Sequence, residues 1–250
     1  RETGDPNLPQ PVAEIPWGHN LILIEKVKDP NRRLWYARQT VANGWSRAVL
    51  THQIASALHE RQGGAQTNFA ATLPAPQSDL AAQALKDPYT FEFLGDLARE
   101  ITERQLERKL TQHIRDFLLE LGKGFAFVAS QYHLNVGDQD FYLDLLFYHL
   151  HLRCYVVVDL KVEPFKPEFA GKMSFYVNAV DDRVRHAKHD QPTIGIVLCK
   201  EQNRVIVEYT LRDANQPIGV ATYRLLPEPL KDDLPTAESL ENELRNVEDE

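Results

Sequence analysis

Two aspartates and a lysine occupy strongly apolar stretches of this sequence, where charged side chains are unusual. Asp144 lies between Phe-Tyr-Leu and Leu-Leu-Phe, and Asp159 follows Tyr-Val-Val-Val two residues before Lys161. Alternate side chains of a strand point to the same side, so Asp159 and Lys161 are expected to face the same way. The short turn around residues 149–152 predicts that the strand of Asp144 is the antiparallel neighbour of the strand of Asp159. The three charged groups are therefore expected to converge.

Two carboxylates and a lysine suit the metal-assisted hydrolysis of a phosphodiester. A buried charge is costly unless it is paired or bound to a metal. Asp144, Asp159 and the backbone carbonyl of Leu160 would supply the hard oxygen ligands that Mg²⁺ or Mn²⁺ prefers. Lys161 would orient or deprotonate the attacking water, or stabilise charge on the phosphate. Glu120, near the end of the preceding helix, is a further candidate ligand, and a buried Asp159–Lys161 ion pair without metal is the alternative interpretation.

Hydrophobic periodicity predicts an α/β domain around these residues. Apolar residues recur on one face over residues 102–121, which indicates a long amphipathic helix ended by Gly122 and Gly124. Aromatic and β-branched runs then predict three strands, a helix, and two or three further strands. The predicted strands are 125–134, 138–148, 153–161, 193–199, 205–209 and 219–223, with the helix at 167–188. The fold class is therefore expected to be α/β, with a mixed central sheet flanked by helices and preceded by a helical region.

Several long stretches resemble one protein family. They read FLLELGKGFAFV, DFYLDLLFYH, CYVVVDLK and FKPEFAGKMSFYVNAVDD, and the upstream IPWGHNLILIEK, GWSRAVL and KDPYTFEFL look like the family's preceding region. Together they resemble the YhcG family of PD-(D/E)xK nucleases over nearly the whole chain. The resemblance implies a restriction-endonuclease-like fold, with acidic positions at Glu120, Asp144 and Asp159 and the lysine at Lys161. Asp159 stands where glutamate is the commoner residue in the superfamily.

The predicted helix after the active-site strands carries candidate contacts to nucleic acid. Lys172 and Tyr176 are four residues apart on one helical face, where many nucleases of this superfamily have Gln-x-x-x-Tyr. The alternative interpretation places Tyr176 in the core and Lys172 in solvent. Arg183 and Arg185 begin a basic cluster that is a candidate for phosphate contact, and a solvated helix end is its alternative interpretation.

The resemblance and the composition divide the chain into four predicted parts. Residues 1–60 form a helical region, expected to be the end of an N-terminal domain that continues upstream. Residues 61–100, with several Gly and Pro, form a linker or arm, residues 101–226 the nuclease domain, and residues 227–250 an acidic tail. The tail holds nine acids and two bases, whereas residues 101–200 hold 13 of each, so most of the net charge of −8 belongs to the tail. A local basic face on the nuclease domain is compatible with this distribution.

The predicted function is the metal-dependent hydrolysis of phosphodiester bonds, with DNA as the expected substrate. The alternatives are a nuclease-fold module that binds nucleic acid with weak or no turnover, and an assembly module that forms homo-oligomers through the helical region. No apolar run reaches the roughly 20 residues that span a membrane. The spacing of Cys154 and Cys199 matches no zinc pattern. A cytoplasmic protein with free thiols and no membrane partner is therefore expected.

Overall fold

The computed structural model describes residues 10–94 and 101–225, so the predicted acidic tail lies outside the described residues. The described residues begin with a bundle of helices packed on a small core of its own. Tyr36 and Leu50 are buried at the centre of that core, and Trp35 and Trp45 pack at its margin. The helices are α1 (Gln10–Glu14), α2 (Trp17–Lys26), α3 (Pro30–Asn43), α4 (Arg47–Ala55) and α5 (Leu58–Arg61).

Local sequence explains where the longest of these helices begins and ends. The Asp29 side chain accepts a hydrogen bond from the backbone N–H of Arg32 over 2.7 Å, and Pro30 follows at the first helical position. At the other end, Gly44 has a φ of 62°, a left-handed conformation that glycine adopts without a steric penalty. The predicted turns at Asp29-Pro30 and Asn43-Gly44 therefore bound α3.

The segment predicted as a linker or arm is joined to the central sheet. Its strand β1 pairs antiparallel with the last strand of the sheet, and β2 pairs parallel with the same strand. Phe69, Leu85, Tyr89 and Phe91 are buried in the core on one face of the sheet. The elements are β1 (Gln66–Thr67), α6 (Phe69–Thr72), α7 (Gln77–Ala84), β2 (Tyr89–Thr90) and a 3₁₀ turn at Glu92–Leu94.

The rest of the described chain forms a mixed sheet between two layers of helices. The strand order is β1-β7-β6-β5-β4-β3, with β2 pairing with β7. Pairing is antiparallel from β3 to β5 and parallel from β5 to β7. The elements are α8 (Glu103–Gln112), α9 (Ile114–Leu121), β3 (Phe125–Val136), β4 (Gln139–His149), β5 (Cys154–Leu160), α10 (Pro167–Arg183), β6 (Ile194–Cys199), α11 (Arg204–Arg212) and β7 (Ile218–Arg224).

Helices cover both faces of this sheet. α8 and α9 pack on one face through buried residues such as Leu110 and Phe117. α10 packs on the other face, where Met173 and Val177 join the core with α11. Gly195 of β6 allows this close approach, because a Cβ at that position would clash with the Met173 side chain. The predicted mixed sheet flanked by helices is confirmed.

Three predicted elements differ from the structure. Residues 205–209 were expected as a strand and instead belong to α11, in which Val207 and Leu211 are buried one turn apart. Asn203 begins this helix by accepting hydrogen bonds from the backbone N–H groups of residues 205 and 206. The predicted helix 102–121 is two helices that meet at His113. The predicted helix 167–188 ends earlier, because α10 closes at Arg183.

None of the helices in residues 10–94 and 101–225 combines the length and the apolar character that a bilayer crossing requires.

Candidate active site

Asp144 and Asp159 lie side by side on neighbouring strands. β4 and β5 are antiparallel with Leu145 opposite Val158, so the same register carried one residue further sets Asp144 opposite Asp159. The backbone N–H of Leu160 donates to Asp144 Oδ2 over 2.9 Å, which fixes the β4 aspartate against the end of β5. The pair lies where the antiparallel half of the sheet meets the parallel half.

Each oxygen of the Asp159 carboxylate faces a lysine. Lys161 Nζ lies 2.8 Å from Asp159 Oδ2, and Lys172 Nζ lies 2.9 Å from Asp159 Oδ1. Asp159 is 1% exposed and Lys161 is 4% exposed, so water contributes little to their solvation. The two ammonium groups supply the compensation that a buried carboxylate requires. Lys161 Nζ also donates to the carbonyl of Leu160 over 2.9 Å.

The electrostatic state of Asp144 differs from that of Asp159. Asp144 is half-buried, and it forms no ion pair with the residues that the structure describes. Burial, and then the negative charge of Asp159, raise the pKa of the Asp144 carboxyl to about 6, against the opposing hydrogen bond from Leu160. Two adjacent carboxylates repel each other, and a divalent cation between them would relieve that repulsion.

The helix layer contributes an acid, Glu103, that the sequence did not single out. Its Oε2 lies 3.3 Å from Lys161 Nζ. Glu103 is the first residue of α8 and follows the N-cap Thr102, whose side chain accepts a hydrogen bond from the backbone N–H of Gln105. An acid in the first turn of a helix is ordinarily explained by the helix dipole. The capping pattern therefore predicts where α8 starts, but it does not predict that Glu103 contacts Lys161.

Lys172 and Tyr176 both belong to the site on the α10 side. Lys172 Nζ lies 5.2 Å from the centroid of the Tyr176 ring, and its side chain is 44% exposed. Burial of Lys172 disfavours its charge, but the carboxylate of Asp159 outweighs this effect and raises the pKa of the Lys172 ammonium. The Tyr176 hydroxyl donates to the carbonyl of Tyr142 over 3.1 Å. Tyr176 therefore ties α10 to β4 two residues before Asp144.

The structure keeps Glu120 apart from this group. Glu120 is 1% exposed, and its Oε1 lies 2.5 Å from Arg61 Nη1 and accepts a hydrogen bond from the backbone N–H of Thr90 over 2.8 Å. Lys86 Nζ lies 3.6 Å from Glu120 Oε2 and donates to the Glu120 carbonyl. No contact within the described chain joins Glu120 to Asp159. The structure thus holds the Glu120 carboxylate between two cations, and no described contact brings it beside the two aspartates, where it was expected as a further ligand.

Arg183 and Arg185 also lie apart from the two aspartates. Lys172 is near the start of α10, and Arg183 is its last residue. A helix rises about 1.5 Å per residue, so the 11 residues between them correspond to about 16 Å along the axis. Arg185 Nε is 3.2 Å from Asp181 Oδ1, which partly neutralises it. The basic cluster therefore lies at the opposite end of α10 from Asp159.

The oxygen donors around the aspartates fit a magnesium-like ion. They are the carboxylates of Asp144 and Asp159 and the carbonyl of Leu160, all hard ligands, and Mg²⁺ usually keeps several waters besides. Within residues 10–94 and 101–225, no group of three or more His, Cys, Asp or Glu side chains is arranged to hold a metal ion. Lys161 and Lys172 contact the Asp159 oxygens. Binding of a metal by Asp159 would therefore require at least one ammonium group to move.

Comparison with known proteins identifies two family matches along the chain. The profile described as the YhcG PDDEXK nuclease domain matches residues 82–240, and the profile described as the DUF1016 N-terminal domain matches residues 3–61. The Escherichia coli (strain K12) protein named "Putative nuclease YhcG" is 36% identical over 207 residues. The match covers 82% of this chain and 55% of that protein. The chain thus spans about half the length of the curated relative it matches.

Two solved structures are similar over about half of this chain. The crystal structure of a repair endonuclease from Pyrococcus abyssi is 14% identical, with 52% of this chain and 49% of that chain covered at a TM-score of 0.34. The structure of an EndoMS–dsDNA complex is 14% identical, with 54% and 48% covered at a TM-score of 0.36. The family match and the mixed sheet confirm the predicted restriction-endonuclease-like fold class. Because the first profile covers more than half of the residues, the chain belongs to the YhcG PDDEXK nuclease domain family.

Proposed function

We propose that this chain is a nuclease that hydrolyses phosphodiester bonds with the help of a divalent metal ion, Mg²⁺ or Mn²⁺. The observation that carries the proposal is the pairing of Asp144 and Asp159 on adjacent strands, with Lys161 Nζ 2.8 Å from Asp159. Membership of a nuclease family supports the reaction class. DNA is the proposed substrate, with RNA as the comparison in every test.

The residues have separate roles in this proposal. Asp144, Asp159 and the carbonyl of Leu160 would hold the metal, which when bound polarises the phosphate and lowers the pKa of a coordinated water. Lys161 would orient that water or stabilise charge on the phosphate. Glu103, 3.3 Å from Lys161 Nζ, positions the lysine from the α8 side.

Lys172 is suited to a role in phosphate contact. Its ammonium group pairs with Asp159 Oδ1, yet its side chain is 44% exposed. A metal bound by Asp159 would compete with Lys172 for that oxygen, and the released ammonium group could then bind a substrate phosphate. Tyr176 keeps the helix of Lys172 against β4 through its hydrogen bond to Tyr142. Arg183 and Arg185 are at the other end of α10, so they are proposed only as outlying contacts.

Cleavage by matched variants tests the proposal. The purified chain is incubated with labelled duplex DNA, single-stranded DNA and RNA, in EDTA or with Mg²⁺ or Mn²⁺. Asp144→Asn, Asp159→Asn and Lys161→Ala are each expected to lower cleavage by at least about 100-fold, the usual scale for loss of a catalytic group. Asp182→Asn and Lys188→Ala, which change exposed residues outside the site, are the controls. Cleavage that persists in EDTA, or in all three site variants, would refute the assignment.

A second candidate function is nucleic-acid binding without turnover. The observation that favours it is the pairing of both Asp159 oxygens with lysines, which leaves Asp144 as the acid with no ion pair at the described site. This function predicts that duplex DNA or RNA binds in EDTA and is not cut with any divalent metal. Cleavage that depends on Mn²⁺ and is lost in Asp144→Asn would exclude it.

An assembly role through the helical region is compatible with one exposed surface. Trp17, Leu21 and Ile24 recur along α2 and are 70%, 49% and 56% exposed. A stripe of large apolar side chains on a helix is a common contact surface. If the chain self-associates there, Trp17→Asp should lower its sedimentation coefficient, and an unchanged value would count against this role.

A cytoplasmic location is proposed on the free, buried thiols of Cys154 and Cys199.

A further inference from the structure

The candidate active site continues sideways to the edge of the sheet. Ser130 is opposite Leu145, and Tyr132 is opposite Leu143, so Gln131 between them lies beside Asp144. Neighbouring strands are about 4.8 Å apart, which places Gln131 about 10 Å from Asp159 across β4. Gln131, Asp144 and Asp159 thus form one row across β3, β4 and β5, and β3 is the last strand of the described sheet at that side.

Helix α8 contacts both the end of β5 and the edge strand β3. Glu103, in its first turn, contacts Lys161 beyond the end of β5. One turn later, Glu107 Oε2 accepts a hydrogen bond from Gln131 Nε2 over 2.6 Å. The two acids therefore join α8 to the end of β5 and to the edge strand β3.

A groove of about 250 Å³ lies between α8 and β3 at that edge. Two arginines dominate its charge: Arg104 and Arg108 are exposed, and neither pairs with a carboxylate among the residues that the structure describes. The carboxylate of Glu107 also lines the groove; its Oε2 accepts the hydrogen bond from Gln131, and it interacts electrostatically with both arginines. The remaining lining groups are the hydroxyls of Thr111 and Ser130 and the carboxamides of Gln112 and Gln131.

The backbone at Gln131 is held in an unusual conformation. Its φ is 47°, in the left-handed region that non-glycine residues rarely adopt, and β3 has a register irregularity between Phe127 and Ala129. The hydrogen bond to Glu107 fixes the Gln131 side chain on the α8 side of the sheet. Strained residues of this kind persist where the surrounding structure holds them, and they cluster at functional sites.

We propose that the groove between α8 and β3 binds the phosphodiester backbone of the nucleic-acid strand that enters the active site. Arginine side chains four residues apart on a helix lie about 5–6 Å from each other, so Arg104 and Arg108 can each contact one of two neighbouring phosphates. Hydroxyl and carboxamide groups are further donors to phosphate oxygens. This inference rests on the proposed nuclease function, since it identifies how that site's substrate is held.

Binding without cleavage tests the groove separately from the reaction. Fluorescence anisotropy with a labelled 20-base-pair duplex DNA, and with RNA of the same sequence, is measured in EDTA at several salt concentrations. Arg104→Glu with Arg108→Glu is expected to raise Kd by at least about tenfold and to reduce the slope of log K against log salt by about 2. Arg104→Lys with Arg108→Lys should keep the slope, because it keeps both charges.

A control with the same change of net charge separates the site from bulk electrostatics. Lys28→Glu with Arg38→Glu changes exposed residues of the N-terminal helical bundle that do not line the groove, and Kd should stay within about twofold of wild type. Arg104→Ala with Arg108→Ala, checked by circular dichroism, guards against misfolding of the glutamate variant. It should reduce the slope by a similar amount.

The outcomes distinguish this inference from the proposed function. If the glutamate and alanine variants bind as tightly as wild type, or if the control pair weakens binding equally, the groove is not the backbone site. If the wild-type chain binds but never cuts, the nuclease proposal fails while the groove is still judged by binding. If the wild-type chain binds neither DNA nor RNA, the groove inference is overturned, and the nuclease proposal is judged by the cleavage assay with Mg²⁺ or Mn²⁺. The stronger of the two affinities identifies which nucleic acid the groove prefers.

Discussion

Replacement of Asp144 by asparagine should make the metal-free protein more stable at neutral pH. The Asp144 carboxyl is half-buried beside Asp159 and has a pKa of about 6, against an ordinary value of 3.8. Its charged form is therefore disfavoured in the folded chain, by burial first and by the Asp159 charge second. Asparagine keeps an oxygen that can accept the hydrogen bond from the Leu160 N–H, and it removes the charge. The variant thus isolates the electrostatic cost of Asp144.

The size of the effect follows from the two pKa values. A difference of about two pKa units at about 1.4 kcal/mol each corresponds to at most about 3 kcal/mol. Because the folded state binds the proton more tightly, the cost is absent below about pH 4, grows between about pH 4 and 6, and is complete above pH 6. The stability of the wild type should therefore fall relative to Asp144→Asn across that window, and the gap should then stay constant.

Urea denaturation in EDTA at several pH values between about 4.5 and 7.5 measures the difference in free energy of unfolding between wild type and Asp144→Asn. Asp182→Asn, at an exposed position of α10, is the matched control and should follow the wild type. Added Mn²⁺ should stabilise the wild type more than Asp144→Asn, since only the wild type keeps both carboxylates. Parallel stability curves for wild type and Asp144→Asn would refute the electrostatic reasoning, because the pH dependence would then not come from Asp144.

Two further predictions concern Glu120, which is buried with two cations, and Lys172, which pairs with Asp159. Glu120→Gln leaves Arg61 and Lys86 buried without their carboxylate, so urea denaturation should show a loss of about 3–5 kcal/mol, while Mn²⁺ affinity, measured by calorimetry on the folded variant, should be unchanged. Lys172→Ala removes the ammonium group that competes for Asp159 Oδ1, so calorimetry should show tighter Mn²⁺ binding, whereas anisotropy should show weaker DNA binding.

Each of these has an outcome that contradicts it. Glu208→Gln breaks an exposed pair with Arg212 and should cost less than about 1 kcal/mol. If Glu120→Gln costs no more than this control, the buried cluster does not stabilise the fold. If Lys172→Ala weakens Mn²⁺ binding, the lysine supports the metal site and does not compete with the metal.

The central pair of aspartates could be predicted from sequence because its geometry is local. Two strands joined by a short turn must be antiparallel neighbours, and side chains alternate with a period of two. Those two rules place Asp144 beside Asp159 without any knowledge of the rest of the fold. The apolar residues on both sides of each aspartate also identify the strands as buried on both faces.

The surroundings of that pair depend on tertiary packing. The amphipathic pattern of residues 102–121 predicts a helix over the sheet, but both of its ends carry an acid, and the pattern does not say which end lies over the strand ends. The structure places Glu103 at Lys161 and Glu120 between Arg61 and Lys86. Arg61 and Lys86 are far from Glu120 in sequence, so their contact exists only because residues 62–94 pack against the sheet.

Tertiary packing also explains why the strand predicted at residues 205–209 is wrong. Residues 205–209 are β-branched and aromatic, which favours a strand locally, yet helix α11 buries Val207 and Leu211 and caps itself with Asn203. Local preference was outweighed by the packing of one helical face on the sheet. Sequence alone thus determined that Asp144 and Asp159 lie side by side. The short turn makes their strands antiparallel neighbours, and strand side chains alternate with a period of two. Only the tertiary structure decided that Glu103 contacts Lys161 and that Lys172 contacts Asp159, because those residues are brought together from separate elements.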